Sequence, residues 1–197
     1  MWTAAILAGG QARRFDGRDK SGLLVGGCSI VDRQIEVLRE VAGELLIVTA
    51  WPERRAGRGA RVVSDRLPNK GALGGIYTAI VEAQAEQTLV VACDMPFVTA
   101  PFLRHLLEAG RGLDAAVPRT ATGLHPLCAS YARGCAGPIR RRLDAGQLKV
   151  TDFLDDVRVR EVTSEEIAPY GPEERLLFNV NSPADYARAA RLSVILT

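Results

Sequence analysis

Short apolar runs alternate along this chain with longer segments in which apolar residues recur every three or four positions. Runs of the first kind, rich in β-branched residues, predict β-strands, and segments of the second kind predict amphipathic helices. The predicted strands are 2–7, 45–49, 60–63, 88–92, 115–118, 127–131 and 158–162. The predicted helices are 29–41, 73–85, 101–109, 135–145, 150–154 and 183–192. Residues placed to cap helices are Ser29, Thr99, Thr151 and Ser182, the last followed by a proline.

This alternation predicts an α/β protein in which helices cover a mainly parallel sheet. Residues 115–162 are richer in strands and less regular, so we expect an antiparallel addition that makes the sheet mixed. No Pro/Gly/Ser-rich linker divides the sequence, and we expect residues 1–197 to form a single domain. Ligands of such sheets bind beyond the carboxyl ends of the strands, where the polar motifs of this sequence also lie.

Composition argues against a membrane-spanning, a secreted or a nucleic-acid-binding protein. Apolar residues make up 47% of the 197 positions and charged residues 24%, with no apolar run as long as a membrane helix requires. The N-terminus lacks a basic region before an apolar core, and the four cysteines form no C-x-x-C pair. We therefore expect reduced thiols and a cytoplasmic location. A net charge of +2 gives no reason to expect a nucleic acid or a membrane as partner.

The first predicted strand runs into a glycine turn followed by arginines and a lysine. Glycine lets backbone N–H groups approach phosphate oxygens, and cations neutralise the remaining charge, so this segment predicts a triphosphate-binding loop. Its spacing matches neither the dinucleotide G-x-G-x-x-G motif nor the G-x-x-x-x-G-K-[ST] phosphate loop. The candidate residues are Leu7, Ala8, Gly9, Gly10, Arg14, Gly17 and Lys20.

Further polar residues follow the later strands. Asp65 can accept two hydrogen bonds from a guanine edge or a ribose diol, or it can cap a turn. Asp94 follows a fully apolar run, where an ionised carboxylate needs a cation or donors, and it predicts a Mg²⁺ ligand. Asn179 and Asn181 point the same way from an extended segment and offer two amides to a polar ring, or they belong to a helix-capping loop.

These segments resemble the nucleotidyltransferases with a Rossmann-like fold, and most closely the molybdenum cofactor guanylyltransferases. The family pattern reads Leu-Ala-Gly-Gly, Arg-Met-Gly and Asp-Lys, and here Phe15 replaces the Met and Asp16 is inserted. Leu-Ala-Gly-Gly instead of Leu-Ala-Ala-Gly favours the guanylyl branch. Cys-Asp-x-Pro at Asp94 and Asn-Val-Asn before Ser182-Pro183 also match.

Two motifs depart from the family pattern. The glycine-rich segment that follows Asp65 matches it at Gly71 and Gly75, but Ala72 stands where the family has Pro and Gly74 where it has Ala. Thr49 stands where the family places an Asn that contacts the base or the ribose. A hydroxyl lacks the paired donor and acceptor of an amide, which weakens Thr49 as a nucleotide ligand.

The resemblance implies a three-layer Rossmann-like sandwich of the nucleotidyltransferase type. It implies transfer of GMP from GTP to molybdopterin, with Mg²⁺ as the metal and an acceptor phosphate attacking the α-phosphorus. Lys20, Asp94 and Arg14 would be catalytic. The nucleotide would contact Leu7, Ala8, Gly9, Gly10, Lys20, Thr49, Asp65 and Asp94, in the N-terminal half. The acceptor would contact Arg14, Gly17, Gly71 and Gly75 together with Asn179 and Asn181, and the C-terminal half would serve mainly the acceptor.

Other readings remain open from the sequence. The same fold serves cytidylyltransferases and sugar-1-phosphate nucleotidyltransferases, and an inactive nucleotide-binding module is a remote alternative. The resemblance also leaves open an accessory protein of the molybdenum cofactor pathway as partner. His125, Lys70 and Lys149 lie near the motifs without a settled role, and neither the oligomeric state nor the presence of molybdenum on the acceptor follows from the sequence.

Overall fold

A computed structural model describes residues 1–9, 23–52 and 59–193. Its strands are β1 (Thr3–Leu7), β2 (Leu24–Val25), β3 (Cys28–Ser29), β4 (Glu44–Thr49), β5 (Arg61–Ser64), β6 (Gln87–Ala92), β7 (Ala115–Thr120), β8 (Gly123–Leu124), β9 (Cys128–Ala132) and β10 (Val159–Val162). Its helices are α1 (Ile30–Arg39), α2 (Gly71–Glu82), α3 (Ala100–Ala109), α4 (Ala136–Asp144), α5 (Val150–Phe153), α6 (Ser164–Ile167), α7 (Glu173–Leu176) and α8 (Pro183–Ser193).

The main sheet has the order β5-β4-β1-β6-β9-β7-β10, with β8 paired to β7. Strand β1 is central and runs parallel to β4 and β6, with Ile6 opposite Ile47 and Val91. Strand β9 is antiparallel to both β6 and β7, which confirms the expected antiparallel addition, while β10 is parallel to β7. The predicted α/β class with a mainly parallel, mixed sheet is confirmed.

Apolar side chains on the two faces of the sheet form two separate cores. Alternate residues of β1 point to opposite faces, so Ala4 and Ile6 join the core under α1 and α3, while Ala5 and Leu7 join the core under α2 and α4. Strands β1 and β6 are buried on both faces, as expected for parallel strands between two helical layers. The sheet therefore holds its strand ends rigidly at the edge where the polar motifs lie.

A third, smaller core lies beyond the carboxyl end of β6, where Val180 N–H reaches Asp94 O. It consists of Val25, Ile30, Phe97, Phe178, Val180 and Ala189. It attaches α8 and the segment before it to the start of α1. The Tyr186 hydroxyl strengthens this attachment because it donates to Leu24 O at 2.8 Å. The last part of the described chain thus packs beside the early strands.

Helix ends follow the sequence signals with one exception. Ser29 Oγ accepts the Asp32 N–H at 3.1 Å and caps α1, and Ser182 Oγ accepts the Asp185 N–H at 3.2 Å at the start of α8. Thr99 takes the cap position of α3 without a side-chain cap bond. The prediction of Thr151 as a cap was wrong, because helical geometry already begins at Val150 and Lys149 takes the cap position. The short elements α6, α7, β2, β3 and β8 were not predicted.

Candidate functional site

A pocket of about 530 Å³ opens at the carboxyl edge of β1, β4, β5 and β6. Each of these strands ends at or just before a residue of the pocket wall, so the parallel strands bring distant motifs together. The lining residues are Leu7, Gly9, Val48, Thr49, Ala50, Trp51, Asp65, Pro68, Asn69, Gly71, Ala72, Gly75, Ala92, Cys93, Asp94 and Leu127. Most of the nucleotide-site residues predicted in the described chain therefore share one pocket.

The turn after β1 is fixed on both sides by the neighbouring strands. Ala8 N–H donates to Val48 O at 2.8 Å, and Leu7 O accepts the Cys93 N–H at 3.2 Å. Among the atoms of the described residues, none would lie within 4 Å of a Cβ atom built on Gly9, which lines the pocket. The rest of the predicted phosphate loop, with Gly10, Arg14, Gly17 and Lys20, lies outside the described residues.

Thr49 ends β4 and is buried, and its hydroxyl accepts the Trp51 N–H at 3.2 Å. This bond uses the Thr49 hydroxyl to shape its own loop. Trp51 lines the pocket with 42% of its surface exposed, and sequence analysis did not assign it. The available signal was a large aromatic residue directly after a predicted strand end.

Asp65 follows β5, and one oxygen of its carboxylate is held by two donors. Asp65 Oδ1 accepts the Leu67 N–H at 3.0 Å and the Thr78 hydroxyl at 2.9 Å. Thr78 Oγ1 in turn accepts the Arg66 N–H at 3.0 Å. The turn-capping and ligand-binding readings of Asp65 are therefore compatible, because a carboxylate has a second oxygen that can accept a ligand's hydrogen bonds.

Asp94 lies two residues beyond β6 in a tight turn, residues 92–95, which we call the Asp94 turn. The turn closes through a bond from Met95 N–H to Ala92 O at 3.3 Å, and Asp94 O accepts the Val180 N–H at 2.8 Å. The half-buried Asp94 side chain thus has a fixed backbone next to the pocket.

These surroundings fit Mg²⁺. Within the described ranges no group of three or more His, Cys, Asp or Glu side chains could hold a metal ion. Mg²⁺ does not need such a group, since it commonly binds through one or two carboxylates together with substrate phosphates and waters. A single carboxylate in the same pocket as Gly9, where the predicted phosphate-binding loop begins, matches this pattern.

Gly71 and Gly75 lie at the start of α2 and on the wall of the same pocket as Thr49 and Asp65. Gly71 has a φ of +63°, in the left-handed region that favours glycine, and a Cβ on Gly75 would lie 3.5 Å from the Leu7 side chain. The structure therefore groups these two glycines with residues predicted for the nucleotide. Their predicted acceptor role stays a prediction.

Asn179 and Asn181 flank the buried Val180 and do not line this pocket. Asn179 Nδ2 donates to Leu177 O at 3.0 Å, and Asn181 N–H donates to Asp185 Oδ2 at 3.0 Å. Asp185 and Ser182 make the cap of α8, so neither asparagine side chain is needed for it. The Val180 bond nevertheless places this segment against the Asp94 turn.

Three residues without a settled role have local partners. His125 Nε2 lies 2.9 Å from Thr120 Oγ1. Burial lowers the pKa of His125, and the negative charge of Glu173, which raises the pKa, only partly offsets this effect. Lys70 Nζ donates to Leu143 O at 3.3 Å, at the end of α4. Lys149 Nζ lies 3.0 Å from Asp152 Oδ1 on an exposed surface. Lys70 and Lys149 therefore have structural contacts that their placement in the sequence did not predict.

Among the helices of the described chain, none combines the length and the apolar character that crossing a membrane requires.

Comparisons with known proteins agree with this geometry. The model of the MobA-like NTP transferase domain family matches residues 4–162. A probable molybdenum cofactor guanylyltransferase from Pelotomaculum thermopropionicum is 41% identical over 95% of this chain and 91% of its own length. One from Carboxydothermus hydrogenoformans is 33% identical over 96% of this chain and 95% of its own.

Among solved structures, molybdopterin-guanine dinucleotide biosynthesis protein A from Archaeoglobus fulgidus superposes with a TM-score of 0.87 and 27% identity. The match covers 98% of this chain and 99% of the other. Family model, relatives and structure thus agree over nearly the whole described fold, including every strand that borders the pocket. The chain belongs to the family of MobA-like NTP transferases that includes the molybdenum cofactor guanylyltransferases.

Proposed function

We propose that this protein transfers GMP from GTP to molybdopterin and releases pyrophosphate, giving the guanine dinucleotide form of the cofactor. The observation that carries the proposal is the pocket in which Gly9, Asp65 and Asp94 meet at the ends of three parallel strands. The names of the relatives, which are guanylyltransferases of the molybdenum cofactor, support the choice of substrates.

The chemistry is a phosphoryl transfer without a protein nucleophile. A terminal phosphate oxygen of molybdopterin attacks the α-phosphorus of GTP, a new P–O–P bond forms, and the bond to the β-phosphate oxygen breaks as pyrophosphate leaves. The protein contributes positioning and charge stabilisation, which supply most of the rate enhancement in such reactions. The rigid strand ends suit this task because they fix the two substrates relative to each other.

Asp94 is the residue that we propose to hold Mg²⁺. When bound, the metal would neutralise charge that develops on the phosphate oxygens. Asp65 would accept hydrogen bonds from the guanine or ribose with the oxygen that Thr78 and Leu67 do not use. Thr49 is a weaker nucleotide contact because its hydroxyl already accepts the Trp51 N–H.

The remaining roles complete the proposal. Gly10 and Lys20 would bind the GTP phosphates with Leu7, Ala8 and Gly9, and Lys20 with Arg14 would stabilise the transition state. Arg14 and Gly17 would lie nearer the acceptor, as would Gly71, Gly75, Asn179 and Asn181. We also propose a cytoplasmic location, supported by the four free cysteines. Delivery of the acceptor by another protein of the pathway belongs to the same proposal.

One experiment tests substrate and metal together. Thermal shifts of the wild-type protein with GTP, CTP, UTP, ATP and dTTP, each with and without Mg²⁺, should show the largest stabilisation for Mg²⁺ with GTP. Asp94→Asn should fold normally and lose pyrophosphate release with molybdopterin on the order of 100-fold or more, because charge neutralisation at the phosphates is worth several kcal/mol.

Two results would contradict the proposal. A larger shift with CTP than with GTP would favour a cytidylyltransferase. Near-normal pyrophosphate release by Asp94→Asn would remove Asp94 from the metal site.

A further inference from the structure

Gln34 is a fully buried polar residue on the apolar face of α1. Its neighbours on that face, Val31, Ile35 and Leu38, belong to the core between α1 and the sheet. Burying an amide without hydrogen bonds is unfavourable, so a glutamine in this position needs hydrogen-bond partners. A hydrocarbon side chain in its place would leave those partners unpaired. Those partners belong to the Asp94 turn.

The Gln34 amide uses both of its protons on this turn. Gln34 Nε2 donates to Ala92 O at 2.7 Å and to Met95 O at 2.9 Å. These two carbonyls lie on either side of Cys93 and Asp94. One planar amide that binds both of them fixes their separation, and it therefore fixes the direction in which the Asp94 side chain leaves the backbone.

Backbone hydrogen bonds also hold the Asp94 turn to neighbouring segments of the described chain. Cys93 N–H donates to Leu7 O, at the start of the phosphate loop, and Val180 N–H donates to Asp94 O. Gln34 adds two bonds from the helical layer behind the sheet. The turn is thus held from at least three directions, and the Gln34 bonds can be removed by a side-chain substitution that leaves the backbone unaltered.

We propose that Gln34 is a positioning residue that orients Asp94 toward the metal and the nucleotide phosphates. The inference rests on the proposed function, since it assumes that Asp94 binds Mg²⁺. Partners behind a metal ligand commonly control both its direction and the strength with which it binds. A glutamine that only filled the core would affect stability but not the metal dependence of the reaction.

The test compares Gln34→Met with Gln87→Met. Methionine has a similar length and no donor, so Gln34→Met removes both bonds while the core stays filled. Gln87 is the matched control because it lies at the opposite end of β6 and donates to Ser130 Oγ at 3.0 Å. Three quantities are measured: hydrogen exchange of residues 92–95, GTP affinity by calorimetry with and without Mg²⁺, and the Mg²⁺ concentration that gives half-maximal activity.

Gln34→Met should speed hydrogen exchange in the Asp94 turn and weaken Mg²⁺-dependent binding and activity by about 10- to 100-fold, the range typical of partners behind a metal ligand. GTP affinity without Mg²⁺ should stay within about twofold, since no direct nucleotide contact is lost. Gln87→Met should change none of the three. If Gln34→Met does not fold, Gln34→Asn keeps the amide but cannot reach the two carbonyls, and the same results are expected.

The inference is overturned if the Mg²⁺ requirement of the Gln34 variant equals that of the wild type, or if Gln87→Met changes it equally. Failure of the proposed function looks different. If the proposed function is wrong, the wild type itself shows no Mg²⁺-dependent binding of GTP. If only this inference is wrong, the wild type still binds GTP in a Mg²⁺-dependent way.

Discussion

Thr78 shows how a buried residue can fix the orientation of a side chain that faces the pocket, here the carboxylate of Asp65. It is fully buried on α2, where its hydroxyl accepts the Arg66 N–H and donates to Asp65 Oδ1. With the Leu67 N–H on the same oxygen, the Asp65 carboxylate has a fixed orientation. A ligand that binds the second oxygen therefore meets an acceptor that is already in place, which lowers the entropic cost of binding.

Thr78→Val should weaken GTP binding by about fivefold, because an acceptor loses one of the bonds that orient it, worth about 1 kcal/mol. Valine keeps the shape of threonine, so the core packing is retained. Calorimetric titration with GTP measures the effect, and Thr88→Val, at a buried threonine of β6, is the matched control. Unchanged affinity in Thr78→Val would mean that Asp65 does not contact the nucleotide.

Asn179 and Asn181 lie outside the pocket wall, and we predict that they contact the acceptor. Replacing both with Ala should remove partners from polar atoms of molybdopterin, with a loss of roughly 1–3 kcal/mol for each atom left unsatisfied. GTP affinity should stay within about twofold. Separate titrations with the two ligands measure this, and weaker GTP binding with normal pterin binding would place the pair in the nucleotide half.

Residues at strand ends could be recognised from the sequence, since parallel strands bring the residues after their carboxyl ends to one edge of the sheet. Thr49, Asp65 and Asp94 are of this kind, and all three line the pocket. Gln34 and Thr78 could not be recognised, because they lie inside helices and their partners are distant in sequence or come from a turn whose path was unknown. Their polar side chains on buried faces were the remaining signal.

Among the elements, the start of α2 departs from the family pattern and leaves little space around one of its glycines. A Cβ on Gly74 would lie 3.0 Å from Leu67 O and 2.9 Å from Lys70 Cβ. An alanine, which the family pattern has at this position, would therefore push against the turn that precedes α2. A Cβ on the next residue, Gly75, would make only ordinary contact with Leu7.

We therefore predict opposite effects for two neighbouring substitutions. Alanine favours a helix over glycine by about 1 kcal/mol, so Gly75→Ala should leave the free energy of unfolding unchanged or raise it slightly. Gly74→Ala should lower it by about 1–3 kcal/mol, because the new methyl group forces the preceding turn to move. Urea denaturation of the two variants and the wild type measures both values, and equal stabilities would show that the turn adapts freely.

The longer elements and the four-residue elements β5, β10 and α5 agreed with the sequence to within a few residues, whereas α6, α7, β2, β3 and β8 were missed. Helices α6 and α7 have four residues each, too few for a periodic apolar pattern to appear. The capping box of Thr163 and Glu166 at the start of α6 was a usable local signal. Strands β2 and β3 have two residues each and form by pairing with one another. The β-propensity of so few residues does not predict them.

At the scale of the whole molecule, Glu44 joins four segments at the edge of the sheet opposite the pocket. Its carboxylate accepts bonds from the Thr3 hydroxyl, the Gln84 N–H and the Arg61 guanidinium at 2.7, 2.8 and 2.9 Å. Burial alone would raise the pKa of Glu44, but these donors outweigh it and hold the pKa below its usual value of 4.5. The charged form therefore stabilises the fold.

Because the pKa of Glu44 is lowered in the folded protein, the unfolded chain binds more protons as the pH falls through this range. The contribution of Glu44 is therefore present above about pH 4.5 and disappears as the pH falls through the lowered pKa. Glu44→Gln should lower the free energy of unfolding by about 1–3 kcal/mol at neutral pH, and this deficit should shrink as the pH falls below about 4.5. Thermal unfolding across this pH range measures the deficit.

Glu161→Gln is the control, because Glu161 pairs with Arg119 on an exposed surface where ion pairs contribute little. A deficit in Glu44→Gln that is constant with pH would show that the carboxylate charge is not what stabilises this edge of the sheet.

The hydrogen bond from Val180 N–H to Asp94 O joins two segments that leave the ribosome at different times. The strands that border the pocket, β1, β4, β5 and β6, all leave the ribosome before the segment that contains Val180. A nascent chain can therefore assemble these strands and their helices while the Asp94 turn still lacks its partner from the last part of the chain. We therefore expect the Asp94 turn to take its final form only after Val180 has left the ribosome and made this hydrogen bond.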